Sequence, residues 1–284
     1  MFPDYSFPAN YFQVEGGRLH YVDVGRGPVI VMVHGNPTWS YYFRHLITFL
    51  KSTHRIIVID HMGCGLSDKP TTYPYCLAKH IENLEQLLAH LNINNFSLVV
   101  HDWGGAIGFG CAVRRLHNLE KIVVMNSAAF RSSRIPLRIS LCRAPLLGQV
   151  IVRLLNGFAR PALYFAVKKK MADDVAAAFI APYNNWRNRI AVYQFVKDIP
   201  LHKNDKSYET LLKIENRLPE VRAAGIPLLI VWGGADFCFN DHFYNEWKNR
   251  FPQAESYYFK DGGHYVLEDK SNEVLAAIAR FFGQ

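Results

Sequence analysis

The chain has no apolar run of the roughly 18 residues that a helix needs to cross a bilayer, so no helical membrane span is expected. Its first residues, Met1-Phe2-Pro3-Asp4-Tyr5, lack the basic and apolar regions of a secretory leader. Cysteine is scarce. Cys64, Cys76, Cys111, Cys142 and Cys238 are scattered, odd in number and contain no CxxC pair. That pattern excludes a disulfide framework and a zinc knuckle, and it fits a reducing cytoplasm. There is no internal repeat and no low-complexity tract. What is present is 284 residues, 50% of them hydrophobic, enough for one large core with room for an inserted subdomain.

Acidic residues are also scarce over one stretch. Residues 130–220 carry 16 Lys+Arg against 7 Asp+Glu, whereas the other 193 residues carry 16 against 17. A basic segment draws nucleic acid, an anionic membrane, an acidic partner or an anionic substrate. The cluster Lys168-Lys169-Lys170 is short and flanked by apolar residues. It therefore reads as a solvated face, or as a peripheral membrane or homo-oligomer contact, and nucleic acid is not expected.

Short apolar strands alternate with helical patterns, which predicts a mainly parallel sheet covered on both faces. Arg18 to Val24 alternates and reads as an early antiparallel strand. Val29–Val33, Arg55–Ile59, Phe96–Val100, Lys121–Met125, Leu228–Trp232 and Ser256–Phe259 read as later strands. Helical patterns cover His80–Leu91, Gly104–Arg114, Asp241–Arg250 and Asn272–Phe282. The alternation breaks between Ala129 and Arg217, a basic, helix-like stretch punctuated by Pro136, Pro145, Pro161, Pro182 and Pro200. We read it as a helical cap (129–217) inserted after the strand Lys121–Met125, between core segments 1–128 and 218–284. Ligands of open α/β sheets bind beyond the carboxyl ends of the strands, so a cap there roofs the site. Phe158, Leu163, Tyr164, Phe165, Phe179, Ile180 and Tyr183 are its candidate pocket residues, about half of them expected to pack cap on cap.

The chemistry is concentrated in Val99-Val100-His101-Asp102-Trp103-Gly104-Gly105. An apolar strand, a tight turn and a helix rich in small residues form the nucleophile elbow of the α/β-hydrolase fold. The apex is a carboxylate, Asp102, where serine is usual. Attack by a carboxylate gives an ester intermediate. The order nucleophile, acid, histidine then selects His264, in the loop Lys260-Asp261-Gly262-Gly263-His264, and Asp236, after the strand Leu229-Ile230-Val231-Trp232. The alternative position for the acid, after the preceding strand, reads Met125-Asn126-Ser127 and holds none. His34-Gly35-Asn36-Pro37 is the expected oxyanion turn, in which Pro37 is a candidate for a cis bond. The backbone N–H groups of Asn36 and Trp103 are candidate oxyanion donors. The Asn36 amide and Trp103 indole can together hold an anionic leaving group. His101 and His34 read as supporting or packing residues. The turn Asp60-His61-Met62-Gly63-Cys64-Gly65-Leu66-Ser67-Asp68 lacks the lysine of a phosphate loop and reads as structural, its two aspartates bonding backbone. No metal and no organic cofactor is expected.

At HGNPTW (34–39), DHMGCGLSDKP (60–70) and HDWGG (101–105) the chain resembles the haloalkane dehalogenases. Its cap and C-terminal third are more similar to the β-lactone decarboxylases of bacterial long-chain olefin biosynthesis, a dehalogenase-related branch. The segments that carry this are APYNNWRNRI (181–190), FVKDIPL (195–201), WGGADFCF (232–239) and GHYVLED (263–269). The resemblance implies a cis-3,4-dialkyl β-lactone substrate, cis-olefin and carbon dioxide as products, and a complex with other olefin-pathway enzymes: a thiolase, a reductase and a lactone synthetase. Attack on the lactone carbonyl and attack on the ring β-carbon both suit these residues. Dehalogenation of alkyl halides through an alkyl–enzyme ester is the alternative reading. Epoxide hydrolysis is a third, with Tyr164, Tyr183, Tyr193 and Tyr208 available in the cap but Asn36 where an aromatic residue is typical. A non-catalytic scaffold is disfavoured because Asp102, Asp236 and His264 are all present.

Overall fold

A computed structural model describes residues 2–283. The strands are β1 (Asn10–Val14), β2 (Gly17–Val24), β3 (Val29–Val33), β4 (Arg55–Ile59), β5 (Phe96–Asp102), β6 (Leu119–Ser127), β7 (Leu228–Gly233) and β8 (Glu255–Phe259). They form one sheet in the order β1-β2-β4-β3-β5-β6-β7-β8. β1 and β2 run antiparallel to their neighbours, and every other pairing is parallel. A parallel sheet must be covered on both faces, which explains the unbroken Val/Ile runs at its centre. Successive residues feed opposite cores. Val31, Ile57, Leu98, Val124 and Ile230 face one cluster, and Ile30, Val58, Val99, Val123 and Val231 face the other. Each such fully buried aliphatic contributes about 1.5–3 kcal/mol, which makes the central strands the rigid part of the molecule.

The core helices are α1 (Arg44–Leu50), α2 (Leu77–His90) and α3 (Trp103–Ala112). Between β6 and β7 lie α4 (Leu137–Arg143), α5 (Leu147–Gln149), a π-turn over Val150–Leu154, α6 (Ala159–Phe165), α7 (Asp173–Ile180), α8 (Ile190–Lys197) and α9 (Tyr208–Ala223). The chain closes with α10 (Asp241–Arg250), α11 (Val266–Asp269) and α12 (Ser271–Phe282). β1, absent from the sequence reading, is a short edge strand whose alternation covers only five residues. The expected cap boundary at residue 217 falls inside α9. That helix packs against α3 and α2 of the core, supplying the crossover that two neighbouring parallel strands require. The preceding helices share a small core of their own around Ile139, Val152, Tyr183, Val192 and Val196. Among the described residues no helix is long and apolar enough to cross a membrane.

Candidate active site

The site lies at the carboxyl ends of the strands, where five loops converge. Asp102 ends β5 with φ +52° and ψ −126°, a conformation costly for a residue with a side chain. The surroundings impose it. The hydroxyl of Ser127 donates to the Asp102 carbonyl at 2.5 Å, and the Trp247 indole N–H donates to the Ser127 carbonyl at 2.7 Å. Gly35 and Gly104 permit the close approach: a Cβ on Gly35 would strike the Asp102 carboxylate, and one on Gly104 the Val33 carbonyl. The Asn36 backbone N–H donates to Asp102 Oδ1 at 2.7 Å, so the turn after β3 holds this carboxylate directly. The Asn36–Pro37 bond is cis.

His264 reaches both acids. Its Nε2 stands 3.5 Å from Asp102 Oδ2, and its Nδ1 2.7 Å from Asp236 Oδ2. Burial alone would push His264 down, but the charges of Asp236 and Asp102 and its hydrogen bonds to both bring it up to about 10. Burial likewise opposes ionisation of Asp102, and the neighbouring His264 outweighs it, holding the carboxyl below its usual range. At neutral pH the pair is therefore an imidazolium beside a carboxylate.

The sequence reading brought Asp102, Asp236, His264, Asn36 and Trp103 to one place, and so does the fold. Asp102, His264, Asn36 and Trp103 line a cavity of about 350 Å³, with Asp236 buried behind His264. The Asn36 amide donates to the Val192 carbonyl of α8 at 3.1 Å, tying the oxyanion turn to the cap. An amide has two N–H donors, so one remains to serve an anion. Trp103 packs edge-on against Phe195 at 5.5 Å and presents the rest of its ring to the cavity. The cavity walls are mostly apolar, from Phe130, Ile139, Phe158, Phe165 and Phe239 among others. Of the seven candidate pocket residues only Phe158 and Phe165 line it. Leu163, Phe179, Ile180 and Tyr183 are consumed in packing, and Tyr164 is exposed. Among the described residues no group of three or more His, Cys, Asp or Glu side chains is placed to hold a metal.

A protein-family model for the alpha/beta hydrolase fold matches residues 28–271. The cis-3-alkyl-4-alkyloxetan-2-one decarboxylase of Shewanella oneidensis is 45% identical, over 97% of this chain and 88% of its own length. The enzyme of that name from Xanthomonas campestris pv. campestris is 40% identical over 99% and 97%. This chain belongs to the alpha/beta-hydrolase fold family and, within it, to the family of these decarboxylases. The crystal structure of the haloalkane dehalogenase DatA from Agrobacterium tumefaciens superposes with a TM-score of 0.87 over 96% of this chain and 95% of that one, at 22% identity. That likeness carries the fold.

Two residues of this family member, Asn126 and Asp269, became visible only in the fold, and His101, read from the sequence as a supporting or packing residue, takes a definite place there. Asn126, at the end of β6, donates from its amide to Asp236 Oδ2 at 2.9 Å and to the Gly233 carbonyl, and its own carbonyl accepts from Gly233 N–H. It fixes the acid that fixes His264. His101 donates from Nε2 to the His264 carbonyl at 2.9 Å and stacks on Tyr42. Its burial, and then the charge of His264, push it down to about 3, so it stays neutral. Asp269 accepts from the N–H groups of Gly263, Lys168 and Lys169, joining the His264 loop to the cap. An Asn after a strand or an Asp in a short helix carries no local signal of such roles. The turn at Asp60 is built of backbone contacts: its carboxylate accepts from Ser40 and Leu66 N–H and from the His20 ring.

Proposed function

We propose that this chain converts cis-3,4-dialkyl oxetan-2-ones, four-membered β-lactones, to cis-olefins and carbon dioxide. Asp102 is the nucleophile, His264 and Asp236 are its charge partners, and Asn36 and Trp103 hold the departing carboxylate. The observation that carries the reading is His264 Nε2 set 3.5 Å from Asp102 Oδ2 at the floor of an apolar cavity, in a chain 45% identical to a decarboxylase of that name.

The charges favour attack on the ring β-carbon. An Asp102 oxygen forms an ester bond to that carbon as the ring C–O bond breaks, leaving its electron pair on the lactone carboxylate. The C–C bond to that carboxylate then breaks and releases carbon dioxide. Its electron pair becomes the double bond as the ester C–O bond to Asp102 breaks. Inversion at the β-carbon followed by anti departure keeps the two alkyl groups cis. No water enters and no net proton moves, so an imidazolium that stays charged stabilises Asp102 both as nucleophile and as leaving group. Hydrolysis of the same ester, as dehalogenation requires, needs His264 as a neutral base toward water. All five cysteines are free, which supports a reducing, cytoplasmic setting.

The test is gas chromatography of a synthetic cis-3,4-dialkyl oxetan-2-one incubated with the purified protein. Cis-olefin that disappears with Asp102→Ala is the expected result. Folded protein that forms no olefin but releases iodide from 1-iodobutane would replace the proposal with dehalogenation.

A further inference from the structure

Among the described residues, the large apolar side chains left exposed are Tyr11, Phe49 and ten between Leu137 and Trp186. The core hides its hydrophobics and the cap displays them. Leu137 and Leu146 are 77% exposed, Leu155 64% and Phe165 57%. They are joined in space as well as in sequence. α4 packs on α5, α5 packs on the π-turn that precedes Leu155, and the Arg138 guanidinium of α4 sits 4.7 Å over the Phe165 ring of α6. Contiguous apolar surface of this kind marks a contact site.

The patch is interleaved with cations. Arg134, Arg138 and Arg160 stand within it, and the exposed Lys168-Lys169-Lys170 follows directly. Lys170 pairs with Asp173, and Asp174 is the other acid there, so the stretch remains strongly basic. The patch also reaches the cavity: Phe165, Arg138 and Ile139 line it, and Arg138 caps Phe237 at 4.1 Å beside the same opening. We propose that this face of the cap docks on an anionic lipid bilayer, with its leucines in the interfacial layer, its cations among the headgroups and the cavity mouth opening toward the acyl chains.

Charge decides among occupants. A self-complementary contact with a second copy would press this basic face on itself, at a repulsive cost. A bilayer containing acidic lipids offers negative headgroups directly above an apolar layer, in the same order of depth as arginine and lysine over leucine. The inference concerns the surface alone and stands apart from the chemistry at Asp102.

Purified full-length protein is floated with vesicles of phosphatidylcholine, with and without phosphatidylglycerol, and no substrate is present. Binding that needs phosphatidylglycerol and falls with added salt is expected. Two variants separate the contributions. Leu146→Asp with Leu155→Asp removes anchor leucines, and Lys168→Glu with Lys169→Glu and Lys170→Glu reverses the basic cluster. Each is expected to lower partitioning about tenfold or more with an unchanged thermal midpoint. Equal partitioning with and without the acidic lipid would overturn the proposal. So would a concentration-dependent dimer, abolished by the leucine variant, in protein that binds no vesicle.

Discussion

At the scale of single residues the site depends on where charge rests. The raised pKa of His264 carries a definite sign. Its stabilising contribution is complete below the ordinary histidine value of 6.5 and is lost as pH climbs to about 10. Olefin formation should therefore hold level across neutral pH and fall on the alkaline side as 10 is approached. An NMR titration of the imidazole should show the same end point, moved down in Asp236→Asn. Replacing Asn36 with Ala or Trp103 with Phe should lower kcat about 10²–10³-fold, the usual loss for one donor to developing charge. Asn126 permits a sharper test. Because its amide lies 2.9 Å from Asp236 Oδ2, the swap Asn126→Asp with Asp236→Asn moves the acid to a neighbouring strand end. The double variant should exceed Asp236→Asn alone in kcat, and a double variant no better than the single would refute that equivalence. That Asp102, Asp236 and His264 meet was legible in sequence because each follows a recognisable strand. Asn126 was not, because its importance arises only when β6 and β7 lie side by side.

At the scale of elements, the joints between cap and core are single polar residues. Asp269 carries three backbone N–H groups from two separate loops. Asp269→Ala would leave buried donors unpaired, at about 1–3 kcal/mol each. It should lower the thermal midpoint and also kcat, since Gly263 precedes His264; a fall in midpoint with kcat intact would limit Asp269 to a structural role. Asp198, at the end of α8, accepts from the first N–H of α2 and from Ser207 Oγ. Burial pushes it up to about 6 despite those bonds. A carboxyl raised on folding favours the fold at low pH and loses that advantage between 3.8 and about 6. Asp198→Asn keeps the acceptor without the charge, so its thermal midpoint relative to the parent should be higher above pH 6 than below pH 4. The strands were legible because buried parallel strands are continuous apolar runs, and the core helices because they follow at short intervals. The cap helices were seen only as one irregular stretch. Their apolar residues serve packing, cavity and surface alike, and no periodicity separates the three uses.

At the scale of the whole molecule, two unlike surfaces share one chain. The sheet and its helices form a nearly neutral body, and the excess positive charge sits on the part that roofs the cavity. The cap leaves the sheet from β6 and returns to it at β7, two strands already paired through Ile122 and Leu228. It is therefore a detour on a connection the fold would need in any case, with α9 as the part that belongs to the core. That topology makes the roof exchangeable. A cap transplanted from another family member, cut after Ser127 and rejoined ahead of α9, should bring its donor's preference for alkyl chain length while Asp102, Asp236 and His264 keep the chemistry unchanged. Competition between lactones of different chain length would read this out, because a preference that stayed with the recipient would place selectivity in the body instead. Diversity in such a lineage can accumulate in one contiguous stretch of gene, and recombination at two points suffices to pass it on.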